Sequence, residues 1–138
     1  VKKSRPRHVA YDPEIATSIL ARIAAGEALT RICKSPGMPP VVAVYEWARD
    51  NPEFASAYAR ARDDRADTLA DQITDIADDE SIPPDSRRVR VDARKWVAAK
   101  LLPKRYGDKV TQEHTGADGG PMQFAEVRRT LVDPKPEG

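Results

Sequence analysis

From Pro13 the apolar residues Ile15, Ile19, Leu20 and Ile23 recur at three- and four-residue intervals, the spacing of one helix face. Asp12 is the expected N-cap, Pro13 fits the first helical position, and Gly26 ends the run. A short second helix is expected from Ala28 to about Lys34. The corner "SPGMPP" is too rich in proline and glycine to continue it. Pro40 then opens a third helix to about Asp50, with Val41, Val44, Trp47 and Ala48 on its inner side. After a break at Asn51-Pro52, a long helix is predicted to about Asp79. Its stripe is Phe54, Tyr58, Ala61, Leu69, Ile73 and Ile76, interrupted by a charged turn near Arg65. "ESIPPDS" reads as a loop, and Ser86 or Asp85 as the cap of a helix from Arg87 to Leu102. The face expected to be buried on that helix is Val89, Ala93, Trp96, Val97 and Leu101. Pro103 stops it. Beyond Gly107, "KVTQEHTGADGGPMQFAEV" reads as two short strands around "TGADGG", and "DPKPEG" as a disordered tail.

These elements predict a mainly α protein. It has a flexible basic arm over residues 1–9, a helix-turn-helix head over 10–51 and a central two-helix oligomerisation hairpin over 52–106. A short C-terminal β-hairpin over 107–128 and a tail over 129–138 complete it. Each part has little core of its own, and an isolated two-stranded hairpin is marginal. Assembly of several copies is therefore expected.

Composition sharpens this picture mainly through the placement of charge. The net charge is only +1, yet residues 1–51 carry eight Lys/Arg against five Asp/Glu, and residues 52–80 carry three against nine. Residues 81–109 reverse the balance with nine against three, and residues 110–138 carry three against five. Segregated blocks suggest separate electrostatic roles. No apolar run approaches the roughly 20 residues of a membrane helix, and "VKKSRPRHVAYDP" has no apolar core of a signal peptide. The single Cys33 cannot form an internal disulfide, which favours a reducing compartment.

Two short helices about a glycine-containing turn, propped by a first helix, match a helix-turn-helix unit that presents its third helix to the major groove. Arg31 and Lys34 near the corner suit phosphate contact, and Tyr45 and Arg49 lie on the outer side of helix three. The arm with Lys2, Lys3, Arg5 and Arg7 suits a neighbouring groove. The same pattern also fits a plain three-helix bundle with no DNA role, because helix three is poor in groove-reading groups: Glu46 and Asp50 repel phosphate. One such head should bind weakly and many together by avidity.

Other signals carry less chemistry. The acidic stripe Asp67, Asp71, Asp75 and Asp78 lacks a second element with converging ligands, so no metal is expected. It is read as facing the basic stripe Arg87, Arg90 and Arg94, within one hairpin or between subunits. Trp96 is expected in the core or at an interface, and Lys104, Arg105 and Lys109 at a solvated junction. Phe54, Tyr58, Leu69, Ile73, Ile76, Arg87, Arg90, Arg94, Trp96, Met122 and Phe124 are the candidate oligomer-interface residues. No Walker-type phosphate loop and no nucleophile–base set is present, so neither catalysis nor a cofactor is expected.

"CKSPGMP", "VYEWARDNPEF", "YARARDDRAD", "DARKWVAAKLLPKRYGDKVT" and "TGADGG", in this order from about Tyr11 to Met122, resemble the small terminase subunits of tailed double-stranded-DNA bacteriophages. The resemblance implies a non-enzymatic DNA-recognition subunit of the genome-packaging motor in the host cytoplasm. It implies rings of roughly eight to eleven copies, with heads at the rim, long helices at the centre and C-terminal strands joined in an intersubunit β-barrel. It further implies double-stranded viral DNA and the large ATPase/nuclease subunit as partners. Arg31, Lys34 and Arg49 become the DNA-contact candidates, and Val44 and Trp47 the core of the head. "PPVVAVYEW" departs from such relatives, which commonly place basic and hydroxyl residues there; that shifts weight to the arm and to DNA shape. The alternatives are a dimeric helix-turn-helix transcription regulator and a metal-dependent nuclease.

Overall fold

Two Asx-Pro-Glu triplets start the helices that organise the molecule, whose computed structural model describes residues 8–110 and 115–122. The Asp12 carboxylate accepts the N–H groups of Glu14 and Ile15 at 2.9 and 3.2 Å. The Asn51 side-chain Oδ1 accepts those of Glu53 and Phe54 at 3.0 and 3.1 Å. Each cap satisfies donors that no helical carbonyl can reach, and the following proline has no N–H to lose. Helix α1 spans Pro13–Ala24, α2 Leu29–Ile32, α3 Val41–Asp50, α4 Pro52–Asp78, α5 Pro84–Leu101 and α6 Pro103–Tyr106. The charged turn at Arg65 does not interrupt α4.

Helix α1 ends in a Schellman motif. Gly26 donates to the Ile23 carbonyl, Glu27 donates to the Arg22 carbonyl, and Gly26 sits at φ +107°. A Cβ at Gly26 would also lie 3.4 Å from the Gln72 side chain and 3.6 Å from that of Thr68. Those are ordinary contact distances, so the positive φ and not the space calls for glycine where α1 meets α4. There, the Thr68 hydroxyl donates to the Ala24 carbonyl at 2.7 Å and Arg65 Nε to the Gly26 carbonyl at 3.3 Å. Side chains of α4 satisfy carbonyls that α1 leaves open at its end.

The core joins Ala16, Ile19 and Ile23 of α1, Ile32 of α2, and Val44 and Trp47 of α3 to Phe54 and Ala61 of α4. Ile19, Ile32 and Val44 are wholly enclosed; burial of each contributes roughly 1.5–3 kcal/mol. Trp47 meets Tyr11 and Phe54 edge-on, at centroid separations of 5.3 and 6.1 Å, and its indole N–H donates to the Val9 carbonyl at 2.9 Å. The head is therefore no independent three-helix unit. It is completed by the first half of α4.

Helix α5 returns antiparallel to α4. Arg87 reaches the Ala77 carbonyl, Arg94 reaches Gln72, and Arg105 reaches Asp67. Two expectations fail here. The cap at Asp85 or Ser86 does not form: α5 begins at Pro84 with Pro83 before it and no side-chain cap, because the prolines themselves set the entry. The predicted buried face is also divided. Ala98 is buried and Val97 and Leu101 are half-buried toward α4, whereas Val89 and Trp96 are 68% and 65% exposed and Ala93 is exposed as well.

Residues from Lys109 onward form a second unit. Within it, "TGADGG" makes the expected tight turn: Gly116 N–H donates to the Gly120 carbonyl at 2.7 Å, with Asp118 and Gly119 in the left-handed region. Among the described residues of this unit there is no strand. Residues 111–114 and 123–138, with Phe124, lie outside the described residues, as do residues 1–7.

Candidate nucleic-acid interface

The α2–α3 corner is held by three backbone bonds. Lys34 N–H donates to the Arg31 carbonyl, Ser35 N–H to that of Ile32, and Met38 N–H to that of Ser35. Gly37 takes φ +79°, a conformation that glycine adopts without strain. Pro39 is buried beneath the corner.

Arg22, on α1, braces this geometry from below. Its Nε and NH2 groups donate to the two Glu27 carboxylate oxygens at 2.8 and 2.6 Å, and its NH1 to the Ser35 hydroxyl at 3.0 Å. The Arg22 hydrogen bonds hold the Glu27 carboxyl below the usual carboxylate range. This forked pair links the end of α1 to the turn. Sequence reading missed it, and the only hint was an Arg five residues before a Glu across a glycine.

Arg31 and Lys34 are exposed beside that brace, and neither pairs with a carboxylate among the described residues. On α3, Val42 and Tyr45 are 54% and 56% exposed. Arg49 is exposed too, its Nε 3.8 Å from the Asp50 carboxylate. The outer face of α3 is thus apolar and aromatic with one cation, while Lys2, Lys3, Arg5 and Arg7 lie outside the described residues.

Between α2 and the hairpin opens a cavity of about 600 Å³, lined in part by Glu27, Arg31, Lys34, Arg65, Gln72 and Arg94. Arg65 interrupts the apolar stripe of α4 in sequence, yet it shares a helix face with Ala61 and Leu69, four residues to either side. Burial, reinforced by the nearby Arg62, lowers its pKa from the ordinary guanidinium value.

The structure redistributes the predicted oligomer-interface residues. Phe54 and Leu69 are 2% and 7% exposed: Phe54 belongs to the core that α1, α2 and α3 form with the start of α4, and Leu69 lies beside Gly26 at the end of α1. Tyr58 packs against the same core, while Ile73 and Ile76 are half-buried. The acidic and basic stripes do not pair within the hairpin among the described residues. Arg87 and Arg94 turn to a carbonyl and an amide, and Arg90 Nε donates to the Ser86 hydroxyl. Asp67 instead accepts from Tyr106 at 2.6 Å and Arg105 at 2.7 Å, tying α6 to α4. Both bonds, that from Tyr106 first, lower the Asp67 pKa. Trp96 stands outside with Lys100 Nζ 5.6 Å from its ring centroid, and Met122 is 51% exposed.

Comparison with known proteins agrees with this architecture. Three solved structures of the terminase small subunit gp1 of the bacterial virus Sf6, each with a different single substitution, superpose on the chain with a TM-score of 0.67 and 39% sequence identity. Each comparison covers 89% of this chain and 97% of the Sf6 chain. No match appears among curated proteins. The family described as "Bacteriophage Sf6, terminase small subunit-like" matches residues 11–113, spanning the head, the hairpin and α6, and the chain belongs to that family.

Proposed function

We propose that this chain is the DNA-recognition subunit of a phage DNA-packaging terminase. It acts without catalysis of its own, in the host cytoplasm, as a ring that binds the packaging-initiation site and recruits and regulates the large ATPase/nuclease subunit. One observation carries the DNA-binding part of this reading: a braced helix-turn-helix corner offers Arg31 and Lys34, neither paired with a carboxylate among the described residues, on one exposed edge. Assembly is supported by the face of α5 that its own chain leaves open, with Val89 and Trp96 outermost. Isolated exposed apolar residues are ordinary, but a tryptophan and a valine two turns apart on one helix face suit an interface core. The weak outer face of α3 makes avidity among many heads the natural source of affinity.

The decisive experiment pairs mass with binding. Light scattering should give a large closed assembly, and the Arg31→Glu/Lys34→Glu variant should keep that mass while losing affinity for duplex DNA at low salt. A dimer would favour the transcription-regulator reading. Unchanged affinity in the double variant would remove the corner from the DNA site.

A further inference from the structure

The cavity between head and hairpin has a charge pattern that the fold does not use. Four cations line it: Arg31 and Lys34 from the head, Arg65 from α4 and Arg94 from α5. Its single carboxylate, Glu27, is already held through both oxygens by Arg22. Arg65 and Arg94 are half-buried, and neither meets a carboxylate among the described residues. Arg65 spends only Nε, on the Gly26 carbonyl, and Arg94 spends Nε on Gln72 and NH1 on the Arg90 carbonyl. Those bonds aim the two groups while leaving further guanidinium N–H donors. A partly desolvated cation without a counter-charge costs free energy that a bound anion offsets.

We infer that this cavity is a DNA-phosphate cradle, in which the sugar–phosphate backbone lies across the junction of head and hairpin and is gripped from both sides. The inference rests on the DNA-binding reading above and deepens it by naming Arg65 and Arg94 as phosphate ligands on the body of the molecule. Arginine suits the role because its fork of donors matches phosphate oxygens. A volume near 600 Å³ accommodates a length of backbone. Contacts to phosphate oxygens carry no sequence information, so binding here is insensitive to sequence, in keeping with the poor reading face of α3. It also makes DNA a brace between two parts of the chain.

The test uses the full-length protein and a duplex of random sequence, with affinity followed by fluorescence anisotropy across a salt series. Arg65→Gln/Arg94→Gln should bind at least tenfold more weakly at low salt. Its plot of log affinity against log salt should be shallower by about 1.8 for two lost phosphate contacts per bound subunit. Arg65→Lys/Arg94→Lys should recover most of the slope, which a merely structural role for these arginines would not predict. Unchanged affinity and slope in the Gln pair, while Arg31→Glu/Lys34→Glu still abolishes binding, would overturn the cradle and spare the broader reading. A wild-type protein that ignores DNA at low salt would overturn both. Loss of binding together with a fall in assembly mass would overturn the cradle by assigning these arginines to contact between copies.

Discussion

The chain contains two tryptophans in opposite situations. Trp47 on α3 is 3% exposed, flanked edge-on by Tyr11 and Phe54, with its indole N–H bonded to Val9. Trp96 on α5 is 65% exposed, with the ammonium of Lys100 over its ring. The head around Trp47 is a finished core. The outer side of α5 is an unfinished one, with Val89 standing in the same open condition. A tryptophan left largely in water contributes little burial to its own subunit, so under the proposed assembly its contribution comes from a neighbouring copy that covers it.

Truncation at the two sites sharpens the contrast most. Trp47→Ala removes a buried aromatic from the centre of the head, and such changes typically cost about 3–5 kcal/mol. The urea midpoint should fall steeply and DNA binding should go with it, since the α2–α3 corner rests on the same core. Trp96→Ala should change the stability of an isolated subunit by less than about 0.5 kcal/mol. In the assembly it should act as an interface hot spot worth about 2 kcal/mol, roughly a thirtyfold weakening of association. Sedimentation over a dilution series reads this directly. If the variant keeps its full mass at every concentration where the wild type does, the open face of α5 is not where copies meet.

How far the sequence could be read follows from the same contrast. The ends of α1 and α3 and the start of α4 were legible because their causes are local. Asp12-Pro13 and Asn51-Pro52 place a cap beside a proline, and Gly26 takes a conformation that other residues resist. The α2–α3 corner was legible for the same reason. The face of α5 was not. Periodicity grouped Val89, Ala93 and Trp96 with Val97 and Leu101, but it cannot say whether a helix buries its apolar residues against its own chain or another. Here the stripe is wide enough to serve two sides. Phe54 and Leu69 depart in the opposite direction: a residue-by-residue pattern cannot show that the head will pack on Phe54 and that the end of α1 will meet Leu69. Arg65 was opaque because a cation within an apolar stripe looks like a defect until the cavity around it is visible.

A smaller effect probes the seam between the finished and unfinished regions. Asn51 caps α4 just where the head ends and the long helix begins. Asn51→Ala should cost about 1 kcal/mol, and Asn51→Asp, which keeps the acceptor and adds a favourable charge at the helix N-terminus, should restore it. Chemical denaturation of the three proteins side by side checks this. Equal midpoints for Asn51→Ala and wild type would mean that tertiary packing alone fixes the start of α4.

The smallest effect lies where α6 is pinned to α4. Asp67 accepts from Tyr106 and Arg105, and those bonds set its folded pKa below that of an unfolded aspartate. A lowered carboxyl pKa contributes stability that is fully present above the unfolded value and is lost as pH falls through the folded one. Tyr106 sets the other limit. Its hydrogen bond to Asp67 raises its folded pKa, so that contribution is present below the unfolded tyrosine value and lost as pH rises through the folded one. The pin should therefore work across a plateau bounded by carboxylate titration on the acid side and phenol titration on the alkaline side. Because its groups are largely exposed, the amplitude should be slight and further reduced by salt. Asp67→Asn should lower the unfolding midpoint modestly at neutral pH, with the gap to wild type closing in acid. A gap that persists unchanged to the acid limit would show that Asp67 holds α6 by shape and not by charge.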